Sequence, residues 1–234
     1  MNVMIFAAGM GTRLKPLTDV IPKALVPVGD KPLLQRVMEE VGNAGTSQVV
    51  INVHHKAEQI KNFINISRDR WPYEVSISDE TEQLLETGGG IKKARPLFND
   101  NSPVLIHNVD ILSNVNLRKF YNAIGDADAL LLVSNRKTKR YLVFDDEMNL
   151  IGWTNIDTGE VKGNGNGTLY AFSGIHVLGQ TLFPDMDAYP DRFPIIDFYL
   201  QECTKRKIKG YLKTDLQLLD VGKLDTLAQA EGFI

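Results

Sequence analysis

A single cysteine, Cys203, stands among 234 residues, so no internal disulfide can form and a reducing compartment is the default expectation. No apolar run reaches the roughly 18 residues that a membrane span requires. The first such run, over 3–8, has no basic lead and is soon followed by Arg13 and Lys15, so it does not read as a secretory signal. Basic charge is not in excess either. Lys and Arg number 26 against 29 Asp and Glu, a net charge of −3 that argues against a broad nucleic-acid surface. There is no linker-like stretch and no internal repeat. Hydrophobic residues at 43% and charged residues at 24% exclude disordered, collagen-like and coiled-coil chains. What remains is a cytoplasmic globular protein with no membrane or nucleic-acid partner. The expectation is one domain over 1–234, able to bury a full core and carrying no second catalytic domain.

The first half alternates strand and helix signals. Continuous apolar runs at 3–8, 48–53 and 104–109 read as buried strands, with further strands at 74–78 and 129–134. Helical spacing appears at Leu33, Leu34, Val37, Met38 and Val41, at Ile60, Phe63 and Ile64, and over 117–124; a short helix is expected after the glycines at 88–90. This alternation predicts an α/β fold, a Rossmann-like and mainly parallel sheet flanked by helices. After about residue 135 the rhythm changes to strands at 141–144, 150–154 and 168–177, with hairpin chemistry in the Lys-Gly-Asn-Gly-Asn-Gly run at 162–167. One helical stripe through Ile195, Tyr199 and Cys203, a strand at 208–212 and a helix from 224 follow. A core over 1–135 with a smaller mixed α+β region over 136–234 is therefore expected.

The first strand runs into Ala7-Ala8-Gly9-Met10-Gly11-Thr12-Arg13. Glycines there let backbone N–H groups approach a phosphate, although a tight strand-to-loop turn demands them equally. A dinucleotide fingerprint is excluded, because Leu14 stands at the third glycine position and prolines 16, 22, 27 and 32 break any long helix. No acid ends the second strand, where Asn52, His54 and His55 stand instead, and the P-loop pattern is absent from the chain. An anion would thus lie on an extended loop with its own cations, Arg13, Lys15 and Lys23.

The run from Gly9 through Arg13, Pro16, Pro22 and Lys23 to Pro27 resembles the signature loop of sugar-1-phosphate nucleotidyltransferases. The similarity continues through Glu86-Thr87-Gly88-Gly89-Gly90, Asn108-Val109-Asp110, Phe172-Ser173-Gly174-Ile175 and Asp220-Val221-Gly222, and so covers essentially the whole chain. Within the family, the E-T-G-G-G segment and short length are most similar to the N-acetylmuramate-1-phosphate uridylyltransferases, with mannose-1-phosphate guanylyltransferases second. The resemblance implies transfer of a nucleotidyl group from a nucleoside triphosphate, UTP in that branch, to a sugar 1-phosphate, there an amino sugar such as N-acetylmuramate 1-phosphate, with release of pyrophosphate. It implies Arg13 on the β- and γ-phosphates, Lys23 against the sugar phosphate and α-phosphate, and Mg2+ on Asp110 and Asp220. Ala7, Ala8, Gly9, Gly11 and Thr12, with Gly88 or Gly89 and Asn108, would seat the nucleotide, and Glu80 would read the base edge.

Each residue also has a plainer reading. Strand-end aspartates make turns and caps, loop cations are usually solvated, Glu80 can be a surface charge and Gly88–Gly90 a helix start. His54 lacks metal-type spacing, Cys203 continues an apolar stripe, and the basic run 136–140 reads as a solvated hairpin in which Arg140 can also reach a sugar phosphate. Val109, Leu218 and Lys223 depart from the family pattern and leave the acceptor open. A phosphocholine cytidylyltransferase-like enzyme and a non-catalytic nucleotide sensor are the other readings, and a monomer or small homo-oligomer is expected.

Overall fold

The computed structural model describes residues 1–233. In chain order the elements begin β1 (Asn2–Phe6), α1 (Leu17–Val20), β2 (Pro27–Val28), β3 (Lys31–Pro32), α2 (Leu33–Asn43), β4 (Gln48–Val53), α3 (Ala57–Ile66) and β5 (Glu74–Asp79). They continue with α4 (Glu86–Ala94), β6 (Val104–Asn108), β7 (Ile111–Ser113), α5 (Leu117–Asn122) and β8 (Ala129–Ser134). The remainder is β9 (Arg140–Phe144), β10 (Leu150–Asn155), β11 (Glu160–Gly163), β12 (Thr168–Leu178), α6 (Phe183–Met186), α7 (Ile195–Glu202), β13 (Ile208–Leu212), β14 (Leu218–Asp220) and α8 (Leu224–Ala230).

A ten-stranded sheet is ordered β11-β10-β9-β12-β6-β1-β4-β5, with β8 on β12 and β13 on β8. Its centre is parallel, β1 pairing with β4 and β6 and β4 with β5. Strands β1, β4 and β6 are largely apolar on both faces because both faces are covered, whereas β5 at the edge is more polar. Along β1, Val3 and Ile5 join one core with α2 and α3, while Met4 joins the opposite core with α4 and α7. The α2 stripe Leu33, Leu34, Val37, Met38 and Val41 is fully buried, each side chain contributing roughly 1.5–3 kcal/mol by leaving water.

The C-terminal region threads back into this sheet: β12 lies antiparallel to β6, and β13 runs parallel to β8. Strand order reverses at β1, which has β4 on one side and β6 on the other. The crevice beyond the carboxyl ends of β1 and β6 is where open α/β sheets bind ligands.

Two boundaries differ from the sequence expectation. β1 stops at Phe6, because the Ala7 N–H turns to the Asn52 side chain. The helix expected after the glycines instead contains them, since α4 begins at Glu86. Tight packing outweighs their poor helix propensity. Among the described residues no helix is long and apolar enough to cross a membrane.

Candidate active site

The loop leaving β1 is fixed at several points. Ala7 N donates to Asn52 Oδ1 at 2.8 Å. Gly11 adopts φ +63°, and Thr18 Oγ1 donates to its carbonyl at 2.8 Å. A Cβ there would fall 2.7 Å from Thr18 Cγ2, so glycine is required on both counts. Leu14, Ala24 and Val26 are wholly buried and pin the loop to the core. The short turns Thr12–Leu14 and Lys23–Leu25 then present Arg13 and Lys23 toward the crevice.

Asp110 follows β6 by one residue beyond Val109, whose N–H donates to Phe6 O at 3.1 Å. Asp220 reaches the same place from the other end of the chain. β14 pairs antiparallel with β7, setting Asp220 opposite Ile111, and Val221 N donates to Asp110 O at 2.8 Å. Lys23 forms an ion pair with Asp110. A Cβ built on Gly222 would lie 2.6 Å from Asp220 Oδ1 and 2.7 Å from Arg13 Nη2, so that guanidinium and that carboxylate share one patch of backbone. The structure therefore brings Arg13, Lys23, Asp110 and Asp220 into one cluster.

Partial desolvation, and next the negative charge of Asp110, hold the Asp220 carboxyl above its ordinary range, while Lys23 and Arg13 pull it down. Two carboxylates crowded in this way fit a hard divalent cation. Among the described residues no group of three or more His, Cys, Asp or Glu side chains is placed to hold a metal. A pair suffices for Mg2+, which takes one or two carboxylates and completes its shell with water and phosphate oxygens.

Beside the cluster lies a cavity of about 210 Å³ lined by Phe6, Ala7, Ala8, Gly9, Lys23, Asn52, Glu80, Leu84, Glu86, Thr87, Asn108, Val109 and Asp110. Nothing lies within 4 Å of a Cβ built on Gly9, so no packing in the protein demands glycine there. Gly174, at φ +79° in a bulge of β12, makes room for Asn108; a Cβ there would sit 2.6 Å from Asn108 Nδ2.

Glu80 is fully buried in the wall, and its oxygens accept from Asn52 Nδ2 at 2.8 Å and Leu85 N at 3.1 Å. Asn52 thus links Glu80 to the Ala7 N–H and ties the β1 loop to the β5 exit. Asn52→Ala leaves a buried carboxylate oxygen and a buried N–H without partners. It is expected to destabilise the fold by about 3 kcal/mol, read as a lowered urea midpoint at unchanged slope.

Gly88 and Gly89 are not in the cavity wall. Both N–H groups donate to Phe193 O, at 2.9 and 3.2 Å, and added Cβ atoms would come within 2.2 Å of the Phe193 ring and 2.0 Å of Asp191 O. Their missing side chains let α4 meet the loop before α7, and the wall they were expected to form belongs to Leu84, Glu86 and Thr87. Glu86 holds φ +63° with its carboxylate gripped by Arg192 at 2.9 Å, and Thr87 Oγ1 accepts from Ile195 N at 2.9 Å. In the sequence Glu86 and Thr87 stand out only as letters of the glycine motif, and Asn52 only as a strand end without an acid. Gly11 and Thr12 support the basic loop and do not line the cavity.

The remaining candidates have plain places. His54 Nδ1 bonds the Glu80 carbonyl oxygen at 2.6 Å. Burial pushes the Cys203 thiol above its ordinary range, and its Sγ donates to Leu200 O. The basic run is not wholly solvated: Arg136 Nη2 donates to Phe172 O at 2.7 Å. Arg136 also faces a second cavity, of about 410 Å³, between β9–β11 and α7.

A family model described as nucleotidyl transferase matches residues 2–147. Among curated relatives, the N-acetylmuramate alpha-1-phosphate uridylyltransferase of Neisseria meningitidis is 30% identical over 99% of this chain and 97% of its own length. The protein of that name from Caulobacter vibrioides is 40% identical over 46% of this chain, a match spanning only 44% of its length. A probable mannose-1-phosphate guanylyltransferase of Oryza sativa is 29% identical over 64% of the chain and 44% of its length. Among solved structures, HddC from Yersinia pseudotuberculosis superposes with a TM-score of 0.79 at 25% identity, over 100% of this chain and 99% of that one.

Proposed function

The chain belongs to the nucleotidyl transferase family, and from that premise we propose that it transfers a uridylyl group from UTP to an amino-sugar 1-phosphate, such as N-acetylmuramate 1-phosphate, releasing pyrophosphate. The observation that carries the reading is the convergence of Asp110 and Asp220 with Lys23 and Arg13 at the mouth of the cavity beside β1. The uridylyl and amino-sugar choice is supported by the Neisseria relative, which matches along nearly its whole length, whereas the guanylyltransferase match spans less than half of that protein.

The reaction needs little proton transfer from the enzyme. A phosphate monoester with a second pKa near 6 is largely dianionic at neutral pH and is itself the nucleophile. The obstacle is bringing two polyanions together. Lys23 offers a point charge where the acceptor phosphate meets the α-phosphate, and Arg13 offers a planar fork to the departing pyrophosphate. Enzymes of this family generally use a divalent metal; bound by Asp110 and Asp220, Mg2+ would supply charge neutralisation on the phosphate oxygens. The open space at Gly9 admits a base edge against backbone, with Ala7 and Ala8 beneath it and Glu80 and Asn52 at the wall.

A panel of nucleoside triphosphates against sugar 1-phosphates, read by pyrophosphate release, tests the proposal. The highest kcat/KM is expected for UTP with an N-acetylated amino-sugar 1-phosphate. Preference for GTP with mannose 1-phosphate, or for CTP with phosphocholine, would replace it. Binding of UTP without turnover of any acceptor would mark a sensor.

A further inference from the structure

The apolar run of β6 is broken at its end by two polar residues, His107 and Asn108. His107 stands between Ile5 of β1 and Ile175 of β12, wholly buried on the face that packs against α2. Its Nδ1 lies 2.8 Å from Asn108 O, and a carbonyl oxygen only accepts, so Nδ1 carries the ring proton. Burial pushes the imidazole down to about 4, so it is neutral near neutral pH and Nε2 is a bare acceptor. That nitrogen has no hydrogen-bond partner. A buried polar atom left so is costly, and a donor is wanted opposite it.

The group facing Nε2 is Glu40 of α2, whose Oε2 lies 4.0 Å away. Burial pushes the Glu40 carboxyl up to about 7, so it keeps its proton through most of the acid range. The other charges on the packed elements are engaged elsewhere or stand aside. On α2, Glu39 accepts from Lys31 and Gln35, and Arg36 donates to Val28 O and Asp30. Tyr73, just before β5, donates to Met38 O. On α5, Arg118 donates to Ala44 O and Gly45 O, and Lys119 shares with Glu40 the wall of a surface cavity of about 730 Å³. Asp110 acts on His107 through its field alone. The surface cavity lets Glu40 exchange its proton with solvent.

Resting on the proposed nucleotide function, we infer that Glu40 and His107 are positioning residues for the nucleotide cavity: the protonated Glu40 carboxyl donates to His107 Nε2, and the imidazole in turn holds the Asn108 carbonyl. A bridging water or a turn of the carboxyl closes the 4.0 Å gap. Asn108 lines the nucleotide cavity, its side chain packs against Gly174, and Asp110 stands two residues beyond it. Once ionised, Glu40 has no proton to give and sets negative charge opposite a lone pair, so the anchor is lost. The cavity therefore holds a nucleotide more tightly below the titration of Glu40 than above it.

The test measures the affinity for UTP with Mg2+, or for whichever triphosphate the panel selects, by calorimetry at pH 6 and pH 8.5. Glu40→Gln carries an N–H donor at every pH. At pH 8.5 the native protein should fall about 3- to 10-fold behind it, the worth of one net hydrogen bond, while at pH 6 the two should agree. Ionisation of the triphosphate itself affects both proteins alike. Glu40→Leu, with no donor, should be weaker by the same factor at both pH values. Nitrogen NMR reads the pair directly. The His107 Nε2 signal, assigned by its loss in His107→Gln, should titrate near pH 7 in the native protein and stay flat in Glu40→Gln. A merely structural pair would change stability without either pH dependence. A ratio of native to Glu40→Gln affinity that is constant between the two pH values, or an Nε2 signal that does not move, overturns the inference and leaves the proposed function standing. A protein that binds no nucleoside triphosphate overturns both.

Discussion

Asp110→Ala and Asp220→Asn are each expected to lower pyrophosphate release roughly 1,000-fold or more, with excess EDTA doing the same to the native protein. Each change removes half of the carboxylate pair proposed to hold a cation against the phosphates. Stability should move the other way for one of them. The Asp220 carboxyl is held above its ordinary range by partial desolvation and by Asp110, so its ionised form is disfavoured in the fold. At low pH, where Asp220 is protonated both folded and unfolded, this costs nothing; the penalty develops as pH rises and persists at neutrality. Asp220→Asn should therefore raise the thermal midpoint of the metal-free protein at pH 7, and the advantage should vanish on acidification. Added Mg2+ with UTP should stabilise the native protein and leave the variant nearly unmoved. Near-normal turnover by Asp110→Ala, or activity that persists in EDTA, would end the two-carboxylate assignment.

Much of this arrangement is legible in the chain because its longest signals are those set by the core. β1, β4 and β6 read as continuous apolar runs since both faces are covered, and the α2 stripe reads as helix since one face is. The contact that unites the aspartates is different. β7 and β14 are three-residue strands, too short for a periodicity to show, and their pairing is a property of the finished fold. Gly88 and Gly89 illustrate another blindness. A missing Cβ serves a ligand or a neighbouring backbone equally well, and only the nearness of Phe193 and Asp191 decides for the latter. Asn52 was invisible for a related reason: its carboxamide links Ala7 to Glu80, residues far from it in sequence. Within the basic run, the hold of Arg136 on the Phe172 carbonyl is a contact across the fold that a run of charges in sequence does not show.

Lys23→Ala and Arg13→Ala are expected to cost about 100- to 1,000-fold each in kcat/KM, by removing fixed positive charge from where negative charge gathers. The two losses should differ in kind. Lys23 sits on Asp110, so its removal leaves two crowded carboxylates with less to offset them. The metal-free protein should then melt lower than native, opposite in sign to Asp220→Asn, although both variants are nearly inactive. Arg13 lies against Gly222 on the side of Asp220, and its fork is suited to the leaving pyrophosphate. Arg13→Lys should consequently recover only part of the loss, since a point charge cannot reproduce two parallel bonds. Because both cations act on one run of phosphates, Arg13→Ala/Lys23→Ala should lose less than the product of the single losses. Full additivity in that double variant would mean that the two side chains serve separate steps, and full activity in Lys23→Ala would remove the basic loop from the chemistry altogether.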